Sequence, residues 1–433
     1  MQRYSKSLMA LGGFLNSCPL IKALAKRCYY VVCSILYSKP YKVHLACPQI
    51  KLNEAHLTGF SSTFFGYYDK SPWNKSQKQI AFHGINYLSH RPPHPRMPVS
   101  ILLAGPDFSA SREIGKSFAW NWQQGSRLCW ISDNHIIFND YLSEQDRYVA
   151  KVINVQTQVT YVLPYPVNDV YEDKFGLTLN YDRLERLRPD YGYKNRPHAV
   201  KALKPIDDED GIWWMDLKTG KWELIISLTF LNHFKNKASM NGAWHKVNHI
   251  MISPRGDKFI FLHRWLVGNK KYTRLVLSSL NGKDLRVLLD EGMVSHCWWV
   301  NNTTILCWAR FRGKDNYFLV DVNGEDIHPL GDFSLLGDGH PSISTDKRIL
   351  VTDTYPDKFR MRYLLLLSLE TGTVAKIAEF HEPLKYSGQS RCDLHPRWSP
   401  DGSKIALDTV YSDERRLTVV SADNWSSYIK PTE

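Results

Sequence analysis

From about residue 58 onward, apolar residues fall in short runs broken by turn signatures, the pattern of β-strands joined by tight hairpins rather than of helices. The clearest copy is HPRWSPDGSKIALDT (His395–Thr409): an apolar strand, an S-P-D-G turn and a second apolar strand. Weaker copies begin at Lys70, Leu128, Asn248, His296 and His340. Several are followed by an outer strand pair, at 275–289, 317–330 and 364–380, with an N-G or T-G turn. GIWWMDLKTGKWELIISL (211–228) has the same outer form and implies one further copy with a diverged first half. Asn-Gly and Asp-Gly supply the positive φ that such hairpins demand. The turns at Asn301, Asp346 and Asp401 are spaced by 45 and 55 residues, the repeat of a four-stranded propeller blade. Seven copies predict an all-β, seven-bladed β-propeller over 58–433, a closed ring that protects its strand edges. RPPHPRMP (91–98) and the polar stretch 171–198 exceed hairpin length and are predicted as loops or insertions on one rim.

Residues 1–57 read differently, as a basic, amphipathic helical segment. Met1 to Cys18 has a basic start and a short apolar core, as a signal peptide has, but no A-x-A-like cleavage site. In the following stretch, helical spacing groups Leu20, Leu24, Cys28 and Val31 on one face, with Lys22, Lys26 and Arg27 toward another. That arrangement suits an interfacial helix on an anionic membrane surface; packing on its own domain is the plainer alternative. No apolar run is long enough for a membrane span. A cytoplasmic, membrane-associated location is therefore expected, with export as the alternative.

Composition narrows the class. At 433 residues, 43% hydrophobic and 23% charged, the chain is globular. Its 13% aromatic content agrees with many strands. The net charge of +12 favours an acidic partner. Because the basic residues are dispersed, an acidic polysaccharide or oligosaccharide is expected rather than nucleic acid. The eight cysteines form no CxxC pair and no regular framework, which points to reduced thiols. A monomer is expected.

His249, His296, His340 and His395 each stand at or near the start of a blade's first strand, with Tyr67 and Gln124 at the matching place in earlier blades. Innermost strands line a propeller's channel, so these side chains are predicted to share one mouth. GDGHP (337–341) and RCDLHP (391–396) carry the metal-site chemistry: His340, Cys392 and His395 as ligands, and Asp393 as a ligand or as an orienting carboxylate. A mixed N/S set suits zinc; an N/O set with Asp393 tolerates manganese. The alternative is that each histidine hydrogen-bonds a neighbouring blade and that Cys392 is a buried apolar residue. Arg264 is a candidate for binding a carboxylate bidentately, with His263 and Trp265 beside it, the indole as a sugar platform. Tyr191 and Tyr193, in DYGY, are candidate proton donors or sugar contacts, and Arg391 a further substrate contact.

GHPSISTDKRILVTDTYPD, RCDLHPRWSPDG and HKVNHIMISPRGDKFIFLHRW resemble the blade motifs of oligogalacturonate-lyase-like seven-bladed propellers, a group similar to propeller polysaccharide lyases. The resemblance covers roughly residues 60–428. It implies β-elimination on a uronate-containing glycan, with a divalent metal held by His340 and His395 near Cys392. It further implies His296 as base and Arg264 as charge neutraliser, with His249 in the same catalytic group and Tyr191 or water protonating the leaving oxygen. The motif departs at Cys392–His395, where oligogalacturonate members carry a Gln and closely spaced histidines. Two alternatives remain: a non-catalytic glycan- or protein-binding propeller, and a component of surface-polysaccharide (capsule or O-antigen) biosynthesis.

Overall fold

The computed structural model describes residues 19–331, 333 and 337–429. Seven antiparallel sheets follow one another along the chain, five of them running outward strand by strand in sequence order and the last two doing so until an N-terminal strand is added at the outer edge, the order of propeller blades. Blade 1 comprises Ser62–Phe64, Ile80–Ile85, Val99–Ala104 and Arg112–Ser117. Blade 2 runs from Cys129–Trp130 to Thr160–Leu163, and blade 4 from Trp244–Ile252 to Leu285–Leu289. Blade 5 runs from Val294–Trp299 to Ile327–Pro329, blade 6 from Ser342–Ile343 to Val374–His381, and blade 7 from Arg397–Trp398 to Arg416–Ser421. The predicted seven-bladed fold is what the chain forms.

The S-P-D-G turns behave as their chemistry requires. In blade 7, Asp401 Oδ1 accepts hydrogen bonds from the Ser403 amide and the Ser399 hydroxyl, while Gly402 takes φ +71°. Only a residue without Cβ adopts that conformation at no cost.

Blade 3 differs from the sequence expectation. Asp169–Tyr171 and Phe175–Leu179 are its two inner strands, so residues 171–179 belong to a sheet rather than to a rim loop. The left-handed turn position is occupied by Glu172 (φ 52°), so no Gly or Asn announces the hairpin. The true insertion follows, with helices Tyr181–Leu187 and Pro197–Ala202 before the outer strands Gly211–Asp216 and Trp222–Ser227. Asn180 caps the first helix by accepting the Arg183 amide at 3.0 Å.

Residues ahead of 58 also enter the sheets. Val43–Leu45 adds a fifth strand to blade 6, pairing with Val374–His381. Lys51–Glu54 is the outermost strand of blade 7, pairing with Arg416–Ser421. The ring closes where Asp408 of blade 7 accepts the Phe65 and Gly66 amides of blade 1, both at 2.9 Å. These pairings tie the strands ahead of residue 58 to the outer edges of the last two blades.

Before these strands stands an 18-residue helix, Pro19–Leu36. Cys33 is buried, Tyr30 lies against Arg360, and Tyr37 meets Phe359 edge-on just past the helix end. Leu24, Val31, Val32, Ile35 and Leu36 are exposed. No described helix is long and apolar enough to cross a membrane. The predicted signal-like segment Met1–Cys18 and the side chains of Leu20, Lys22, Lys26 and Arg27 lie outside the described residues.

Candidate functional site at the channel mouth

Four imidazoles form a continuous row. Ring centroids are 5.6 Å apart for His249 and His296, 4.0 Å for His296 and His340, and 4.3 Å for His340 and His395. Tyr67 stands among them, 5.2 Å from His249 and 5.0 Å from His395, with its hydroxyl 2.7 Å from His249 Nε2. All five side chains are buried.

Local backbone geometry aims these rings. The ladder of blade 4 breaks register between Asn248 and Met251, and that of blade 5 between Val294 and Cys297. Such a bulge re-aims the side chain it carries, here His249 and His296. His249 (φ 53°) and His395 (φ 47°) take the left-handed conformation, a strained choice for non-glycine residues that clusters at functional sites. His340 and His395 are both tied to Asp353. That carboxylate accepts the His340 amide at 2.8 Å and the His395 amide at 3.2 Å, and lies 2.8 Å from His340 Nδ1. Gly339 makes this approach possible, because a Cβ there would lie 2.0 Å from the Asp353 carbonyl oxygen.

With Nδ1 facing Asp353, the Nε2 of His340 points away from it. That Nε2 and the Nε2 of His395 are buried and have no hydrogen-bond partner among the described residues. A bare, buried imidazole nitrogen is the natural donor to a cation. A carboxylate oxygen of Asp393 completes a group whose ligand atoms all lie within 4.8 Å of one another. Asp393 also pairs with Arg391 (2.8 Å) and Arg362 (2.9 Å), which hold it ionised, well below the ordinary carboxylate value despite burial. The donor set therefore fits a divalent ion through His340, His395 and Asp393.

A pocket of about 370 Å³ opens beside the row, lined by His249, His296, Tyr191, Arg188, Arg264 and Lys271, among others. His296 Nδ1 lies 2.9 Å from Asp338 Oδ1, an orientation that leaves Nε2 as the accepting nitrogen. Arg264 is 4% exposed, yet no carboxylate lies within ion-pair distance of it among the described residues. Among the described residues its Nε has no partner, and its only hydrogen bond is a 3.4 Å contact with the Val294 carbonyl. Burial and the neighbouring Arg188 push its pKa down. Lys271 stands on the rim. Although the residue as a whole is exposed, desolvation of its ammonium with the fields of Arg264 and Arg188 pushes it down to about 8. Uncompensated buried cations favour an anionic guest.

Two solved structures share this architecture. An oligogalacturonate lyase from Vibrio parahaemolyticus is 10% identical with a TM-score of 0.59, over 89% of this chain and 97% of that one. A structure of oligogalacturonate lyase in complex with manganese is 12% identical with a TM-score of 0.60, over 87% and 97% of the two chains. The fold is that of the oligogalacturonate-lyase propellers. No family model matches the chain. No curated protein matches it either. Identities this low speak for the fold alone.

Against that frame of blades, the predicted residues separate cleanly. His249, His296, His340, His395, Tyr67, Asp393, Arg264 and Tyr191 come together at the mouth. Arg391 lies alongside, bound to Asp393 and Asp190. Cys392 does not join them: it packs with Tyr386 and Val410, and burial pushes its thiol up to about 12. The N/S ligand set suited to zinc is thereby lost, and the N/O set remains. His263 is also removed from the mouth, buried against His245 (2.9 Å) and Arg274 (3.1 Å). Trp265 is 1% exposed, packed on Met240 and Ala243, so it offers no sugar platform. Tyr193 stacks on Tyr181 and receives a hydrogen bond from Asn139, inside the blade 2–3 core. Gln124 is buried in the turn packed on Gly66 and does not line the pocket. Sequence reasoning missed Asp338, Asp353, Arg188, Lys271 and Tyr355. Asp338 alone had a signal, two residues before His340 in GDGHP.

Proposed function

We propose that this protein is a metal-dependent lyase acting by β-elimination on a uronate-containing acidic glycan. The observation that supports it most is the row of imidazoles itself: His296 shares a pocket with the buried Arg264, which no carboxylate pairs among the described residues, and His340 and His395, next in the row, present bare Nε2 atoms. His340, His395 and Asp393 would hold the divalent ion, with manganese favoured by the N/O donors and by the manganese bound to the structurally similar lyase. Such an ion offsets carboxylate charge and so acidifies the neighbouring C–H.

The chain's own groups supply the rest. Arg264 binds the uronate carboxylate through its fork of donors and stabilises the enolate that develops there. His296, oriented by Asp338, takes the proton from the carbon beside the carboxylate. The freed electron pair forms the carbon–carbon double bond as the glycosidic C–O bond breaks. Tyr191, on the same pocket wall, donates its proton to the departing oxygen. The unsaturated uronate product absorbs in the ultraviolet, so a panel of acidic glycans tests the proposal directly. Activity is expected to fall above about pH 8, as Lys271 loses the charge it adds beside Arg264, Arg188, Asp190 and Asp338. The absence of an unsaturated product from every uronate glycan in the panel would refute the lyase reading.

A second reading, participation in surface-polysaccharide synthesis at the membrane, is favoured by one observation. The helix Pro19–Leu36 exposes Leu24, Val31, Val32, Ile35 and Leu36 rather than covering them. Anionic lipid is the proposed occupant of that face. The Leu24→Glu/Ile35→Glu variant is expected to lose co-sedimentation with phosphatidylglycerol vesicles that the wild type shows. Equal sedimentation of both would exclude the helix as the anchor.

A further inference from the structure

A second cavity, of about 430 Å³, lies on the far side of Tyr355, which lines both it and the histidine pocket. The mouth thus has two lobes that share this tyrosine, and the Arg188–Asp190 ion pair links their walls. The second lobe is walled by Tyr30 of the N-terminal helix, by Asp190 of the blade 3 insertion, and by Arg360, Glu382, Tyr386 and Gln389. Its electrostatics are opposite in kind to those of the first. Arg360 pairs with Glu382 at 3.0 Å, Arg362 with Glu382 at 3.2 Å, and Arg391 with Asp190 at 2.6 Å. Arg391 and Arg362 also share Asp393. Each guanidinium in this lobe already has its carboxylate, whereas Arg264 and Lys271 in the first lobe have none among the described residues.

We propose that the second lobe binds an uncharged sugar, so that the groove selects glycans in which a uronate alternates with a neutral residue. The inference rests on the lyase reading for the first lobe but concerns the adjoining unit. A second carboxylate placed here would face Asp190 and Glu382 without a free cation to receive it, and like charges brought together inside a cleft are costly. Hydroxyls face no such penalty. They accept from guanidinium edges and donate to carboxylates already in place, while tyrosine rings offer apolar faces to pyranose C–H groups. The side-chain oxygen of Gln389 is buried without a partner, ready to accept from a sugar hydroxyl or amide.

The test compares tetrasaccharides by titration calorimetry on the His296→Gln variant, with cleavage rates on the wild type. The probes are tetragalacturonate, in which every unit is charged, and hyaluronan and chondroitin tetrasaccharides, in which uronate alternates with an uncharged N-acetylhexosamine. At least one alternating probe is expected to bind ~10-fold or more tightly than tetragalacturonate. Adding Gln389→Trp, which fills the second lobe without touching an ion pair, is expected to erase that preference while the melting temperature holds. Tyr30→Ala, at the opposite wall, is expected to weaken it. Equal or tighter binding of tetragalacturonate, or no binding of either alternating probe, would overturn the inference. A binding preference without unsaturated product would refute the lyase reading and leave the neutral-sugar lobe standing.

Discussion

Arg264→Met is expected to make the protein more stable and nearly inactive. The wild-type guanidinium is 4% exposed, has no carboxylate partner among the described residues, and makes one long hydrogen bond. Burying a charge under those conditions opposes folding. A methionine of similar length fills the space without it and is expected to add ~1–3 kcal/mol of stability, read as a higher melting temperature. The same substitution removes the fork that meets the uronate carboxylate, a loss worth ~10²–10³-fold in turnover for a preorganised charge-stabilising group. The two changes in opposite directions are diagnostic. A merely structural Arg264 would lose stability together with activity, and a solvated one would change neither.

Asp353→Asn is expected to lower divalent-metal affinity and turnover together by ~10–100-fold, the usual cost of removing a carboxylate that orients a metal-binding imidazole. Asp353 accepts two backbone amides and faces His340 Nδ1, so one carboxylate sets both the tautomer of His340 and the approach of His395. Asparagine keeps the shape but brings a donor where His340 already presents one. It weakens the charge-assisted bonds and leaves a buried mismatch. Metal titration and steady-state kinetics on the folded variant check this. Unchanged metal affinity would show that His340 and His395 are held by the blade packing alone.

Much of this was legible because propeller blades repeat turn chemistry at a fixed spacing. Asp401-Gly402 and Asn323-Gly324 mark their hairpins by residue type, and Gly324 and Gly402 do take positive φ. The inner hairpin of blade 3 was illegible because Glu172 occupies its left-handed position, and no composition rule flags a glutamate there. The strands Val43–Leu45 and Lys51–Glu54 were illegible for another reason: each pairs with the opposite end of the chain and has no hairpin neighbour to reveal it. At the site, strand periodicity explains both successes and errors. Successive side chains of an extended segment face opposite ways, so Asp393 turns to the mouth while Cys392 turns to Tyr386, and the left-handed backbone at His395 brings its imidazole beside Asp393. By the same rule Arg264 faces the pocket, and His263 and Trp265 face the packed interior. Asp353 and Tyr355 follow the hairpin rather than precede it, a position that the first-strand histidine pattern does not reach.

The central claim is that His340 and His395, with Asp393, offer a preformed seat for a divalent cation. Calorimetric titration of the chelator-stripped protein with manganese tests it most directly, run beside His340→Ala and His395→Ala. The account predicts one site per chain in the wild type, lost in both variants while their circular dichroism stays that of a β-propeller. A wild type that takes up no divalent ion, or variants that bind it as tightly, would contradict the account.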